Sequence, residues 1–194
     1  MDSLFETVAD TYAPLAERLR PQSLEELLGQ GHLLSQTHML RSMMDSGSIT
    51  SLILWGPPGT GKTTLARLIA KQSGYLYDTV SAVSSGVADL KALFERARTR
   101  KKDGKRTVVF VDEIHRFTRA QQDVFLPVVE DGTIVLIGAT TENPSFELNA
   151  ALLSRMQVVV LNRLDEDALE KLLQRAEACM NKPLPITPDA RIIL

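Results

Sequence analysis

The chain has 194 residues and a formal net charge of −2, with 44% hydrophobic and 24% charged residues, the proportions of a globular protein with a substantial core. That balance excludes a polybasic nucleic-acid coat and leaves any nucleic-acid contact to a local patch. The single cysteine, Cys179, excludes an intrachain disulfide and a cysteine-based zinc site and suits a reducing cytosol, and no apolar run approaches the roughly 18 residues of a membrane span.

The opening MDSLFETVAD is acidic and lacks a basic n-region, so no signal peptide is expected. SLEELLG offers a capping box, with Ser23 at the N-cap, Glu26 three residues on and Gly29 closing the turn. Short β-rich runs then alternate with helical patterns. Strands are expected over 51–55, 75–80, 107–112, 133–140 and 157–161, and helices over roughly 61–72, 86–101, 118–127 and 147–155. Most of the strands are continuously apolar, as strands covered on both faces are, and the alternation predicts an α/β fold: a parallel sheet flanked by helices. After residue 161 the pattern changes. DEDALEKLLQRAEACM (165–180) reads as one amphipathic helix capped by Asp165, and TPDARIIL starts another with Thr187 as N-cap and Pro188 at the first helical position. The expected division is an α/β domain over 1–161 and the beginning of a helical domain over 162–194, cut off inside it.

LILWGPPGTGKTT turns the first strand into a phosphate loop. Gly56 through Thr63 fit G-x-x-x-x-G-K-[ST], so Gly56, Pro57, Pro58, Gly59, Thr60 and Gly61 form a curl whose backbone N–H groups face an anion at a helix N-terminus. Lys62 reaches the β- and γ-phosphates, Thr63 ligates Mg2+, and Thr64 lies in the first helical turn. VVFVDEIH supplies two acids at a strand tip. Asp112 can hold the Mg2+ shell and Glu113 can polarise a water for in-line attack, a pair that argues for hydrolysis rather than binding alone. In IGATTEN, Thr140 and Thr141 can sense the γ-phosphate or place the attacking water, or simply favour the strand. Arg155, at the end of LLSR, can cap a helix C-terminus or act as an arginine finger in a neighbouring subunit.

Together these residues resemble an AAA+ ATPase of the clamp-loader group. RLRPQSLEELLGQGHLL, WGPPGTGKTTLA, SAVSSGV and the long run from VDEIHRF to ALLSR are more specific: over about residues 13–176 they resemble the replication-associated recombination protein A family, kin to the Werner helicase-interacting ATPase. The resemblance implies a P-loop NTPase (AAA+) sheet followed by a helical lid, and ATP with Mg2+ rather than GTP. It places Arg20, Pro21 and Gly29 near the adenine, and Lys62 and Thr63 on phosphate and Mg2+. It makes Asp112 and Glu113 the Walker B pair, Thr141 (or Thr140) sensor 1, and Arg155 a trans-acting finger. It further implies a homo-oligomer acting in the cytoplasm, at the nucleoid, on DNA forks, ends and single-strand/duplex junctions beside single-strand DNA-binding protein, with no membrane. The family's sensor-2 arginine, in a G-D-A-R-R segment, and its oligomerisation domain lie beyond the end of this sequence.

Other features have plainer readings. RARTRKKDGKR (96–106) carries seven basic residues in eleven, which suits a helix C-terminus and a solvated turn or a DNA-backbone contact. His115 reads as a local hydrogen-bonding residue or a switch, Trp55 as packing, and Cys179 as a small core residue. Competing functions are a clamp-loader ATPase subunit, a Holliday-junction branch-migration motor and, outside the enzymes, a non-hydrolysing P-loop scaffold.

Overall fold

The computed structural model describes residues 13–35, 38–187 and 191. They fall into two compact units, Gln30–Arg163 and the described parts of Met1–Gly29 with Leu164–Leu194.

The larger unit is built on five strands: β1 (Leu52–Trp55), β2 (Leu76–Ser81), β3 (Thr107–Asp112), β4 (Val135–Thr140) and β5 (Gln157–Val160). They lie in the order β2-β3-β4-β1-β5, and every pairing is parallel. The expected parallel α/β sheet is therefore present. Parallel strands need crossover connections, and two are long helices, α2 (Lys62–Ser73) between β1 and β2 and α3 (Val87–Lys102) between β2 and β3. The helix α1 (Met39–Ser46) precedes the sheet. α2 buries Leu65, Ala66, Leu68, Ile69 and Ala70. α3 buries Leu90, Leu93, Phe94 and Ala97, the i, i+3, i+4, i+7 stripe of a helix with one covered face. That stripe joins Val109, Val111, Leu136 and Phe125 in one core, where Phe94 meets Phe125 edge-on at 5.3 Å. Each large apolar side chain so buried contributes about 1.5–3 kcal/mol.

Two expected helices are broken. The 118–127 pattern becomes α4 (Arg119–Asp123) and α5 (Leu126–Glu130). Pro127 stands in the first turn of the second, where its missing N–H cannot continue the first helix. The 147–155 pattern becomes α6 (Pro144–Glu147) and α7 (Ala150–Leu153), because the side chains of Asn143 and Asn149 each cap a new start. Gln122, fully buried, holds this region together: its amide donates to Phe117 O and Glu147 O and accepts from Asn149 N.

In the smaller unit, SLEELLG forms turns rather than a capped helix. The Glu26 carboxylate accepts from Gln22 N at 2.9 Å, one residue before the expected cap, while Leu24 and Leu27 are buried. Gly29, at φ +71°, ends the turn, and a Cβ there would stand 2.6 Å from Leu164 Cδ2. The helix α8 (Glu166–Met180) follows, with Asp165 accepting from Ala168 N at 2.8 Å as its N-cap. Cys179 is half-buried rather than a core residue, and its carbonyl accepts from Arg18. Most of the helix expected from Pro188 lies outside the described residues. Arg191 is described, and it pairs with both Glu170 and Glu177. No described helix is long and apolar enough to cross a membrane.

Candidate active site

The strand order brings three sequence motifs to one edge. β1 lies beside β4, and β4 beside β3, so the C-terminal tips of all three strands are neighbours. Trp55 is in register with Thr140, and Val111 with Gly138, which sets Asp112 and Glu113 level with the tip of β4.

From β1 the chain enters Gly56, Pro57, Pro58, Gly59, Thr60 and Gly61, then the N-terminus of α2. Gly59 and Gly61 take φ of +77° and +92°, left-handed values that side chains resist. A Cβ on Gly56 would meet Leu161 O at 2.4 Å, so only glycine fits there. Gly61 gives α2 no side-chain cap, which leaves its first turn to an external partner. Lys62 is largely buried as a residue, and its ammonium donates to Gly56 O at 2.7 Å and Pro57 O at 2.8 Å. Burial lowers its pKa below the ordinary lysine value, while Glu113 and Asp112 pull it the other way. Thr60 ties the curve by donating to Pro57 O. Thr63 and Thr64 follow, both partly exposed. A positive-φ, glycine-walled curve ending at an uncapped helix N-terminus with a lysine fits a phosphate chain.

Asp112 is exposed at the end of β3. Glu113 takes φ +50°, a left-handed conformation in a non-glycine residue. Two contacts hold that turn. Ile114 is fully buried, and its Cδ1 would stand 2.8 Å from a Cβ on Gly138, so the two pack without a gap. His115 reaches Thr140 Oγ1 through Nδ1 at 2.9 Å. Thr140 is fully buried, whereas Thr141 is partly exposed on a cleft of about 500 Å3 shared with Gly56, Pro57 and Pro58. Of the two threonines, Thr141 can face a ligand and Thr140 is committed to the protein. Trp55 lines the same cleft and packs on the core, as expected.

Other predicted residues lie elsewhere. Arg155 precedes β5 and so stands at the N-terminal end of the sheet, the opposite end from the phosphate loop. It donates to Ala151 O at 2.7 Å, capping α7, and pairs with Glu130. A larger cavity of about 660 Å3 opens at that end, lined by Lys101, Lys105, Arg106, Glu130 and Arg155, but no phosphate motif borders it. Arg20, Pro21 and Gly29 belong to the smaller unit, where Arg20 pairs with Glu17. Among the described residues no group of three or more His, Cys, Asp or Glu could hold a metal ion, so Thr63 and Asp112 could hold Mg2+ only together with ligands from the phosphates or water.

One residue at the site was not anticipated. Gln30 is fully buried, and its amide accepts from Asn162 N at 3.0 Å and donates to Asn162 O at 2.8 Å and Thr60 O at 3.4 Å. GQG in the sequence offered only a glycine-flanked polar residue, with no local sign of partners 30 and 132 residues away.

Comparison with known proteins agrees with this arrangement. The chain is 52% identical over 167 residues to replication-associated recombination protein A of Escherichia coli K12, covering 86% of this chain and 37% of that protein. It is 46% identical over 187 residues to ATPase WRNIP1 of Dictyostelium discoideum, covering 95% of this chain and 20% of that one. The chain thus spans less than two fifths of the length of these relatives. Among solved structures, the Thermotoga maritima RuvB Holliday junction branch migration motor superposes with a TM-score of 0.69 at 31% identity, covering 84% of this chain and 55% of that one. The profile of the family described as ATPase family associated with various cellular activities (AAA) matches residues 52–164, more than half of the chain, from β1 through β5, and to that family this chain belongs.

Proposed function

We propose that this chain is the nucleotide-binding part of an ATP-hydrolysing protein that acts on DNA in replication-fork maintenance, recombination and repair. The observation that carries the reading is the convergence of a glycine-walled loop, an Asp-Glu pair and a threonine strand tip on one sheet edge. In this reading residues 1–161 are the AAA+ domain and 162–194 the beginning of its lid.

Lys62 leaves the carbonyls of Gly56 and Pro57 for the β- and γ-phosphates, and Thr63 and Asp112 hold Mg2+. The ion, when bound, neutralises charge developing on the phosphates. Glu113 polarises the attacking water, and Thr141, the exposed threonine, senses the γ-phosphate while Thr140 anchors the strand. Arg20, Pro21 and Gly29 flank the adenine. Arg155, at the far end of the sheet from its own loop, serves the nucleotide of a neighbouring copy in a homo-oligomer. The partners are DNA forks, ends and single-strand/duplex junctions together with single-strand DNA-binding protein, in the cytoplasm at the nucleoid. A branch-migration motor is the second reading, favoured by the likeness to RuvB.

The test is turnover by the full-length protein with and without single-stranded and forked DNA. Glu113→Gln is expected to bind ATP normally and stop turnover, because it removes the charge that polarises water, whereas Lys62→Ala weakens binding itself. Wild-type turnover in the Gln variant overturns the role given to Glu113. Strand exchange on four-way junctions without fork stimulation favours the motor.

A further inference from the structure

His115 Nδ1 stands 2.9 Å from Thr140 Oγ1 and 3.3 Å from Glu113 Oε2. The other bonds at Thr140 favour one direction for the proton. Thr140 Oγ1 accepts from Glu142 N at 3.0 Å and donates its own hydrogen to Glu142 O at 3.3 Å. With that hydrogen used, the hydroxyl can only accept from His115, and an ionised Glu113 can likewise only accept. A bare Nδ1 lone pair would face two oxygens that have nothing to donate. An Nδ1–H is donated to Thr140, and the Glu113 carboxylate lies beside the same nitrogen as a charged neighbour.

We infer that His115 is a positioning residue that holds the Glu113 carboxylate beside Thr140, at the tip of β4: its Nδ1 bonds Thr140 and the same nitrogen faces Glu113. The inference rests on the reading of Glu113 as the group that polarises water. The surroundings suit a tether. Glu113 sits in a left-handed conformation that an L-residue adopts only when its neighbours impose it, and buried Ile114 packed on Gly138 supplies the backbone part of that constraint. Backbone constraint alone leaves the carboxylate free to turn about its own side-chain bonds. The imidazole, held at its other contact by a fully buried threonine, restricts that turning. It also joins the acid to the strand that leads into Thr141, so a displacement of the β4 tip reaches Glu113 through one side chain.

The test uses the full-length protein for kinetics and this chain for spectroscopy. His115→Ala is expected to lower kcat by roughly 10- to 100-fold, the usual cost of losing an outer-shell partner, with the equilibrium affinity for ATP unchanged. His115→Asn, which keeps an N–H near the place of Nδ1, is expected to recover much of the loss. Independently of turnover, nitrogen-proton NMR of the imidazole in the nucleotide-free chain is expected to find the proton on Nδ1, with its resonance moved by both Glu113→Gln and Thr140→Val. A proton absent from Nδ1, or a resonance that ignores either substitution, overturns the tether. So does an unchanged kcat in His115→Ala, or an equal fall in ATP affinity and unfolding temperature in the Ala and Asn variants, which marks a purely structural histidine. If wild-type full-length protein hydrolyses no ATP, the ATPase reading fails instead, and the NMR result alone decides the tether.

Discussion

At the C-terminal ends of β1, β3 and β4 the backbone turns left-handed at Gly59, Gly61 and Glu113, the Lys62 ammonium closes on loop carbonyls, and Asp112 stays exposed. At the opposite end of the same sheet the left-handed positions are all glycines, among them Gly104 and Gly132, and several cations are matched. Arg100 pairs with Asp78 at 2.5 Å, Lys101 donates to Asp131 O, Arg106 lies over the ring of Tyr75, and Arg155 is shared between Glu130 and the end of α7. Of the seven basic residues in 96–106, Arg98, Arg100, Lys101 and Arg106 have such partners, which supports the plain reading of that run as helix end and turn. One end thus holds a left-handed non-glycine residue, Glu113, and reactive groups in place. The other uses its charges to fasten one element to another.

Arg155 is the residue that blurs this contrast, and it gives the largest expected effect. If it serves a neighbour's nucleotide, Arg155→Ala in the full-length protein binds ATP normally, and kcat falls on the order of 10³-fold. Mixed with wild type, it lowers activity more than dilution alone. If Arg155 only caps α7 and pairs with Glu130, turnover per folded molecule is unchanged and stability drops by about 1 kcal/mol or less. A second prediction concerns the packing that supports Glu113. A methyl at Gly138 would meet Ile114 and Ile53 Cδ1 atoms at 2.8 and 2.9 Å, so Gly138→Ala should destabilise by about 1–3 kcal/mol through overpacking. Thermal or urea unfolding measures this, and an unchanged midpoint refutes the tight fit.

The smallest effect belongs to the quiet end. A hydrogen bond from Thr133 holds the Asp131 carboxyl below the usual carboxylate range. A depressed acid contributes stability above its unfolded pKa, near 3.9, and loses it as pH falls through the folded value. Asp131→Asn should therefore flatten the acid limb of unfolding temperature against pH, at and below the unfolded carboxylate value. Equal slopes in both proteins would remove Asp131 from that limb.

The strands were readable because a parallel sheet covered on both faces leaves continuous apolar runs, and TVVFVD and LILW are such runs. The loop from Gly56 to Thr63 was readable because its chemistry depends on residues adjacent in the chain. Features made by distant partners were not. His115 gave a choice of roles until Thr140, 25 residues away, was seen beside it. Arg155 gave two readings because its partner Glu130 lies on another helix. The SLEELLG and 118–127 patterns failed for a different reason. Local helical spacing was present, but an off-register carboxylate and Pro127 redirected the backbone.

Gln30 shows what a single buried amide can do to a chain's freedom to vary. Its two N–H groups and its carbonyl imitate a peptide unit, pairing with Asn162 as one strand pairs with another while reaching the carbonyl of Thr60 in the phosphate loop. The chain leaving β5 and the loop leaving β1 are thereby cross-tied by a residue of neither. Glutamate would set a carboxylate against two carbonyl oxygens. Leucine would strand three backbone groups without partners, and asparagine, one methylene shorter, would span only one of the two gaps. Position 30 therefore has almost no neutral neighbours in sequence space, although nothing about the chemistry of phosphate depends on it directly.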